Sequence, residues 1–181
     1  MKYNALDVAK WLLTEAHKQG ITITHMKLQK LLYYAQAYVL GMTGQPLFNN
    51  QIQAWQHGPV VPDVYHAYNK YGSNIISVVN DTPAPIELAA LISTIVRDKG
   101  KLSAHDLRNI THNETAWQEA WNSPNSKVIT NDMIEKCFTD MFWTSDEEDF
   151  YQPSFHSRKE EDKYFHDNIS EEEKNAIRQS R

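Results

Sequence analysis

Along the first forty residues, apolar positions recur every three or four places, a spacing that predicts two helices. Leu6, Ala9, Leu12, Leu13 and Ala16 mark the first, from Asn4 to Gly20. Asn4 suits the N-cap, Asp7 favours the positive helix end, and Gly20 is a natural stop. Thr24 is placed to cap the second, which runs to about Gly41 with Leu28, Leu31, Leu32, Ala35 and Val39 as its stripe. Lys30, Tyr33, Tyr34, Gln36 and Tyr38 fall on its remaining sides. Tyrosines so placed serve core and rim packing more often than a site. At Ile52 the period changes to two. Ile52, Ala54 and Gln56 alternate with Gln51, Gln53 and Trp55, as in a half-buried strand. Gly58-Pro59 stops that strand, and Pro62 suits the first turn of a helix carrying Val64, Tyr65, Tyr68 and Tyr71 to Gly72. Residues 52–65 thus form an elbow that turns a strand into a helix. It reads either as a structural corner alone or as a corner that also presents a contact surface. Leu47-Phe48 is the expected hairpin partner of Ile52–Trp55, joined through Asn49-Asn50.

Beyond Gly72, residues 73–85 read as a loop pinned by Ile75, Ile76, Val78 and Val79. Leu88, Leu91, Ile92, Ile95 and Val96 predict a strongly apolar helix ended by Gly100. Ser103 with Asp106 is a capping pattern for a short helix that Thr111-His112-Asn113 breaks. Glu114–Trp121 predicts a further short helix with Trp117 and Trp121 on one face, ended by Pro124. Thr130 is placed to cap a last helix through Ile134, Phe138, Met141 and Phe142. The pattern predicts a mainly α fold: one compact domain of about seven helices with a small β-hairpin over residues 1–145. No internal repeat interrupts it.

Charge changes the picture after Ser145. Residues 146–181 hold 11 acidic and 6 basic side chains, whereas residues 1–145 hold 12 of each. The second stretch therefore carries the whole net charge of −5, and it reads as an acidic, flexible tail, disordered or loosely helical. A neutral domain with an acidic tail makes a nucleic-acid partner unlikely, since a phosphate backbone demands clustered Lys and Arg. With 41% hydrophobic residues the chain has enough for a core. It has no apolar run of about 18 residues, so no membrane partner is expected. Met1-Lys2-Tyr3-Asn4 lacks a signal peptide's apolar stretch, and Cys137 is the single cysteine. A cytoplasmic location is the expectation, with no disulfide and no cysteine-based zinc site.

Two stretches together resemble a known family. Leu28-Gln29-Lys30-Leu31-Leu32-Tyr33-Tyr34-Ala35-Gln36-Ala37 is similar to its helix signature. Pro46-Leu47-Phe48 followed by Ala54-Trp55-Gln56-His57-Gly58-Pro59-Val60-Val61-Pro62-Asp63-Val64-Tyr65 is similar to its second. Leu102–Leu107 and Glu114-Thr115-Ala116-Trp117 fit its later pattern. The family is the Panacea domain, also called the SocA-like or GepA-like phage-associated domain, and the resemblance covers about residues 4–142. It implies a mostly helical domain with a small strand element. It also implies an antitoxin that binds and neutralises a toxin encoded by an adjacent gene. One member class acts as a proteolytic adaptor that hands its toxin to a AAA+ protease. Other relatives carry an added DNA-binding domain, which is not expected here because the helical pattern already starts at Leu6. The resemblance supplies no catalytic residues.

The remaining chemistry is sparse. No glycine-rich phosphate loop and no Gly-x-Ser-x-Gly elbow occurs. A small metal-dependent hydrolase built on His57, Asp63 and His66 is the alternative of another class. Those residues straddle the elbow, whereas a catalytic zinc site needs three converging ligands. No cofactor is expected, and an enzyme is disfavoured. Binding by aromatic anchors with a polar rim fits what is left. The anchors proposed are Tyr34, Trp55, Tyr65, Tyr68 and Tyr71, with Lys30 and His57 as polar contacts.

Overall fold

Helix α2, His25–Thr43, lies buried over most of its length, and every other element is arranged around it or on its neighbours. The structure is a computed structural model that describes residues 3–77 and 81–144. Before α2 comes α1, Ala5–Lys18, and after it the strands β1, Ile52–Trp55, and β2, Gly58–Val60. Then follow α3, Pro62–Tyr68, with a 3-10 turn at Asn69–Tyr71, and α4, Ile86–Lys99. The short helices α5, Ala104–His112, and α6, Thr115–Asn122, precede β3, Val128–Ile129, and α7, Asn131–Thr144. The described residues are thus mainly α, with one three-stranded antiparallel sheet in the order β2-β1-β3.

The helix starts follow the residues expected to set them. Asn4 Oδ1 accepts from Leu6 N at 2.8 Å, and Ser103 Oγ accepts from Asp106 N at 3.0 Å. Thr24 and Thr130 cap α2 and α7 in the same way. Each bond satisfies a backbone donor that the helix itself leaves open. Helix α2 runs past Gly41 to Thr43, and its left-handed cap is Gly44, at φ +65°.

The core joins Val8, Ala9, Leu12 and Leu13 of α1 to the apolar stripe of α2. Ile92, Ile95 and Val96 of α4, Leu107 of α5, Trp117 of α6, and Ile134 and Phe138 of α7 complete it. A helix enclosed by α1, α3, α4, α5, α7 and β2 has no solvent face over its middle turns. The remaining sides of α2 are therefore buried like its stripe, which corrects Lys30 as a polar contact for a partner. Gln29, Lys30 and Gln36 are buried with the leucines.

The hairpin also differs from expectation. Strand β1 pairs with β2 through a turn at Gln56-His57, with Trp55 opposite Gly58 and Ala54 opposite Pro59. Gly58-Pro59 therefore opens the second strand and does not end the sheet. Proline is tolerated there because β2 is an edge strand. Leu47-Phe48 is not paired with β1. The Phe48 N–H and C=O are both taken by the Gln36 side chain, at 3.0 and 3.2 Å, so they are not free for a ladder. On its other edge β1 pairs with β3, a strand of two residues. The alternation in β1 holds, with Ile52 and Ala54 buried and Gln53 and Trp55 half-buried. The helix from Pro62 changes to the 3-10 turn at Asn69 before it reaches Gly72. Ile76 is buried and bonds Ile23 O through its backbone N–H, as a pinned loop requires. Val78, Val79 and the acidic stretch 146–181 lie outside the described residues. Among the described residues no helix is long and apolar enough to cross a membrane.

Candidate functional site

Two buried polar side chains of α2 reach the elbow's backbone, and a third reaches Phe48 ahead of it. Gln29 Oε1 accepts from Val61 N at 2.8 Å, and Lys30 Nζ donates to Pro59 O at 3.1 Å. Gln36 holds Phe48 at both backbone atoms, and its Nε2 also donates to Asn131 Oδ1 of α7 at 2.9 Å. A buried amide or ammonium must find such partners, because an unmade bond there costs about 1–3 kcal/mol. The polar positions of α2 therefore act as three pegs that fix the segment 48–61 against the helix. Gly58 sits against the Lys30 peg and Thr111. Its φ is +101°, and a Cβ built there would stand 2.7 Å from Lys30 Cε and 2.9 Å from Thr111 Oγ1.

Behind the elbow, α5 and α6 carry a stacked series of rings. His112 lies 3.8 Å from Trp117, and Trp117 lies 5.2 Å from Trp121, with the planes nearly parallel. The Trp117 indole donates to Trp55 O at 3.1 Å and so ties α6 to β1. Burial, followed by the positive charges of Arg108 and Lys30, pushes His112 down to about 3. The ring is therefore neutral throughout the physiological range. Trp121, at the end of the series, is exposed beneath the Lys127 ammonium, 5.2 Å from the ring centre.

Glu114 starts α6 and is buried. Its Oε1 accepts from the Tyr34 hydroxyl at 2.9 Å. Burial pushes its carboxyl up to about 7, against the opposing pull of the Tyr33 and Tyr34 hydroxyls and the Lys99 ammonium. Burial, then the charge of Glu114, raises Tyr33 and Tyr34 in turn. Lys99 stands over the Tyr34 ring at 4.8 Å.

The seven candidate residues divide by exposure. Lys30, Tyr34, His57 and Tyr65 are buried, so their side chains are not free to meet a partner as they stand. Trp55, Tyr68 and Tyr71 are half-buried and present ring surface. The division follows the geometry of α3. Tyr65 faces inward between His25, at 4.6 Å, and Trp55, at 4.9 Å. Tyr68 and Tyr71 stack on each other at 6.3 Å, with the Lys70 ammonium over Tyr71 at 5.4 Å. Hence Trp55 and the tyrosine pair flank the elbow and do not form one continuous ring cluster. The metal alternative receives no support from placement: His57 is buried, while Asp63 and His66 are exposed. Asp63 accepts from Asn50 Nδ2 at 2.5 Å. Gln29, Gln36 and Glu114 are the residues that the aromatic reading missed. For Gln29 and Gln36 the signal was a polar side chain inside a helix that is otherwise largely apolar; Glu114, set among polar residues, gave none.

Residues 28–118 match the family described as Antitoxin SocA-like, Panacea domain. The matched span contains all seven candidate residues, the three pegs, Gly58 and Glu114. The chain is also similar to the protein named Antitoxin SocA of Caulobacter vibrioides (strain NA1000 / CB15N). Identity is 29% over 139 residues, which cover 69% of this chain and 74% of that one. No solved structure matches the chain.

Proposed function

The chain belongs to the antitoxin SocA-like, Panacea-domain family, and we propose from that membership that it is an antitoxin with no reaction of its own. It neutralises a toxin protein, encoded by an adjacent gene, by binding it directly. The observation that carries this reading is the match over residues 28–118, which spans the elbow together with the helix that pegs it. The pegs explain why the two signature segments go together: each supplies the bonds that the other needs. The contact surface proposed is the half-buried set, Trp55, Tyr68 and Tyr71, with Lys10 and Lys70 beside the tyrosines. Rings of this kind supply most of the energy in an interface when a partner covers them.

The test is growth of cells expressing the adjacent gene, with and without this chain, followed by co-purification of the two products. Growth arrest relieved by this chain, with a complex recovered, is the expected result. A toxic neighbour that is neither relieved nor bound by soluble protein would overturn the reading. For the surface, the double variant Tyr68→Ser, Tyr71→Ser should weaken toxin binding by about 30-fold, corresponding to roughly 2 kcal/mol for an aromatic hot spot. Its far-ultraviolet circular dichroism should match the parent. Unchanged affinity in titration calorimetry would move the surface elsewhere.

The second arrangement is delivery of the toxin to a AAA+ protease, with residues 146–181 as the segment that contacts the protease. Deleting 146–181 separates the two. Direct neutralisation keeps its toxin affinity and its rescue, whereas delivery keeps affinity but lengthens the toxin's half-life in cells.

A further inference from the structure

Helix α1 turns one face toward α3 and the segment after it. Lys10, Leu13 and His17 share that face at helical spacing, and Lys10 lies beside Tyr68. One turn beyond Lys10, a hollow of about 170 Å³ opens between α1 and residues 75–77. Leu13 and Ala16 wall it from α1, Ile23 from the link into α2, and Ile76 from the far side. His17 and Ser77 are exposed and stand at its mouth. Backbone contacts hold the walls: Ile76 N donates to Ile23 O at 2.9 Å, and Ile75 bridges Thr24 beside them. The hollow therefore exists before anything enters it, which spares a partner the cost of ordering it.

Size decides what it can hold. A cavity of roughly 150 Å³ lined by leucine, isoleucine and phenylalanine takes a benzene molecule. The hollow thus has room for one ring or one branched aliphatic side chain. A hollow on the α4 side of α1, beside Trp11, measures about 60 Å³ and has not. Place decides what would fill it. Leu13 lies about 5 Å along the helix axis from Lys10, and Ile75 follows Tyr71 by four residues. The mouth of the hollow therefore adjoins the half-buried rings of Tyr68 and Tyr71, both along α1 and along the chain. Interfaces draw most of their energy from a few side chains seated in such pockets, with neighbouring contacts keeping water out.

We infer that this hollow is the anchor pocket of the toxin interface: one apolar side chain of the toxin, a phenyl ring or a leucine, seats between α1 and residues 75–77, while Tyr68 and Tyr71 cover the surface beside it. Such a role presupposes the antitoxin reading and adds to it the chemistry of the toxin's contact. His17 and Ser77 supply hydrogen-bonding groups at the rim, where the toxin's backbone passes.

The experiment uses the full chain and the product of the adjacent gene. His17→Trp, at an exposed position, puts an indole into the mouth and should weaken toxin binding by about 30-fold, the loss of one anchor. Lys18→Trp adds the same bulk on the α4 side and should leave affinity unchanged. Full affinity in a His17→Trp chain with the parent's circular dichroism overturns the anchor and leaves the antitoxin reading standing. A parent chain that does not bind the toxin removes both. If His17→Trp does not fold, benzene titrated into the parent decides instead. The methyl resonances of Leu13, Ile23 and Ile76 should shift in the free chain and stay unmoved in the toxin complex. No shift in the free chain means that the hollow takes no ring, and shifts that persist in the complex mean that the toxin docks elsewhere; either overturns the anchor. Methyl shifts that follow the chain's own concentration, without toxin, would give the hollow to a second copy and overturn it too.

Discussion

Gly58→Ala is expected to destabilise the chain by about 3 kcal/mol or more, far beyond an ordinary glycine substitution. Two costs meet at this position. At φ +101° any side chain is strained, at about 1–3 kcal/mol. The added carbon would also stand 2.7 Å from Lys30 Cε, 2.9 Å from Lys30 Nζ and 2.9 Å from Thr111 Oγ1. Lys30 has nowhere to retreat: it is 0% exposed and its ammonium donates to the carbonyl of the neighbouring Pro59. Moving it breaks that bond inside the protein. Gly72→Ala is the control, because Gly72 has φ +52° but no atom within 4 Å of a built Cβ. It carries strain without the clash and should cost about 1 kcal/mol. With a denaturant slope of about 2 kcal/mol/M, the urea midpoints should fall by about 1.5 M and 0.5 M respectively. Equal shifts would mean that Lys30 yields freely and the pegged geometry is not what holds the elbow.

Much of this fold was legible because the helix signals are local. Asn4, Thr24, Ser103 and Thr130 cap the helices they were expected to cap, and Trp117 and Trp121 stack at the spacing of four that predicted a shared face. Pairing was less legible, because it is decided by residues far away in sequence. Leu47-Phe48 has strand character, yet Gln36 binds the Phe48 backbone first. Strand β3 has only two residues and exists because β1 offers it an edge. The site was legible in part. The elbow and its aromatics were found, but the outward or inward aim of each ring depends on what covers it. Tyr34 and Tyr65 have the same composition of ring and hydroxyl as Tyr68, and only the enclosure of α2 and the seat of α3 separate them. Glu114 was missed because a lone glutamate before a helix reads as a solvated cap. Its burial follows from Tyr33, Tyr34 and Lys99, which come from elements 80 and 15 residues earlier.

The enclosure of α2 makes Gln36 the most consequential of the three pegs. Gln36→Leu should cost about 3 kcal/mol, although leucine matches glutamine in size and suits an apolar helix. The change removes the acceptor for Phe48 N and the donor for Phe48 O, and it deprives Asn131 Oδ1 of its bond. Two of those groups belong to a backbone that is buried and cannot turn to solvent; each orphan costs about 1–3 kcal/mol. Lys30→Met is the instructive comparison. It orphans Pro59 O, and it also removes an ammonium from the interior, which offsets part of the loss. It should cost about 1 kcal/mol. The order Gln36→Leu above Lys30→Met, read from thermal or urea unfolding, checks the peg account, and the reverse order would refute it. Gln36 is 1% exposed and cannot touch a partner. Toxin binding by Gln36→Leu should therefore weaken only as far as the folded fraction falls, and should return at temperatures where the variant is fully folded. In this fold the helix signature acts from inside: its pegs hold the segment 48–61, and the rings proposed as the contact surface lie on the outside of that segment and of α3.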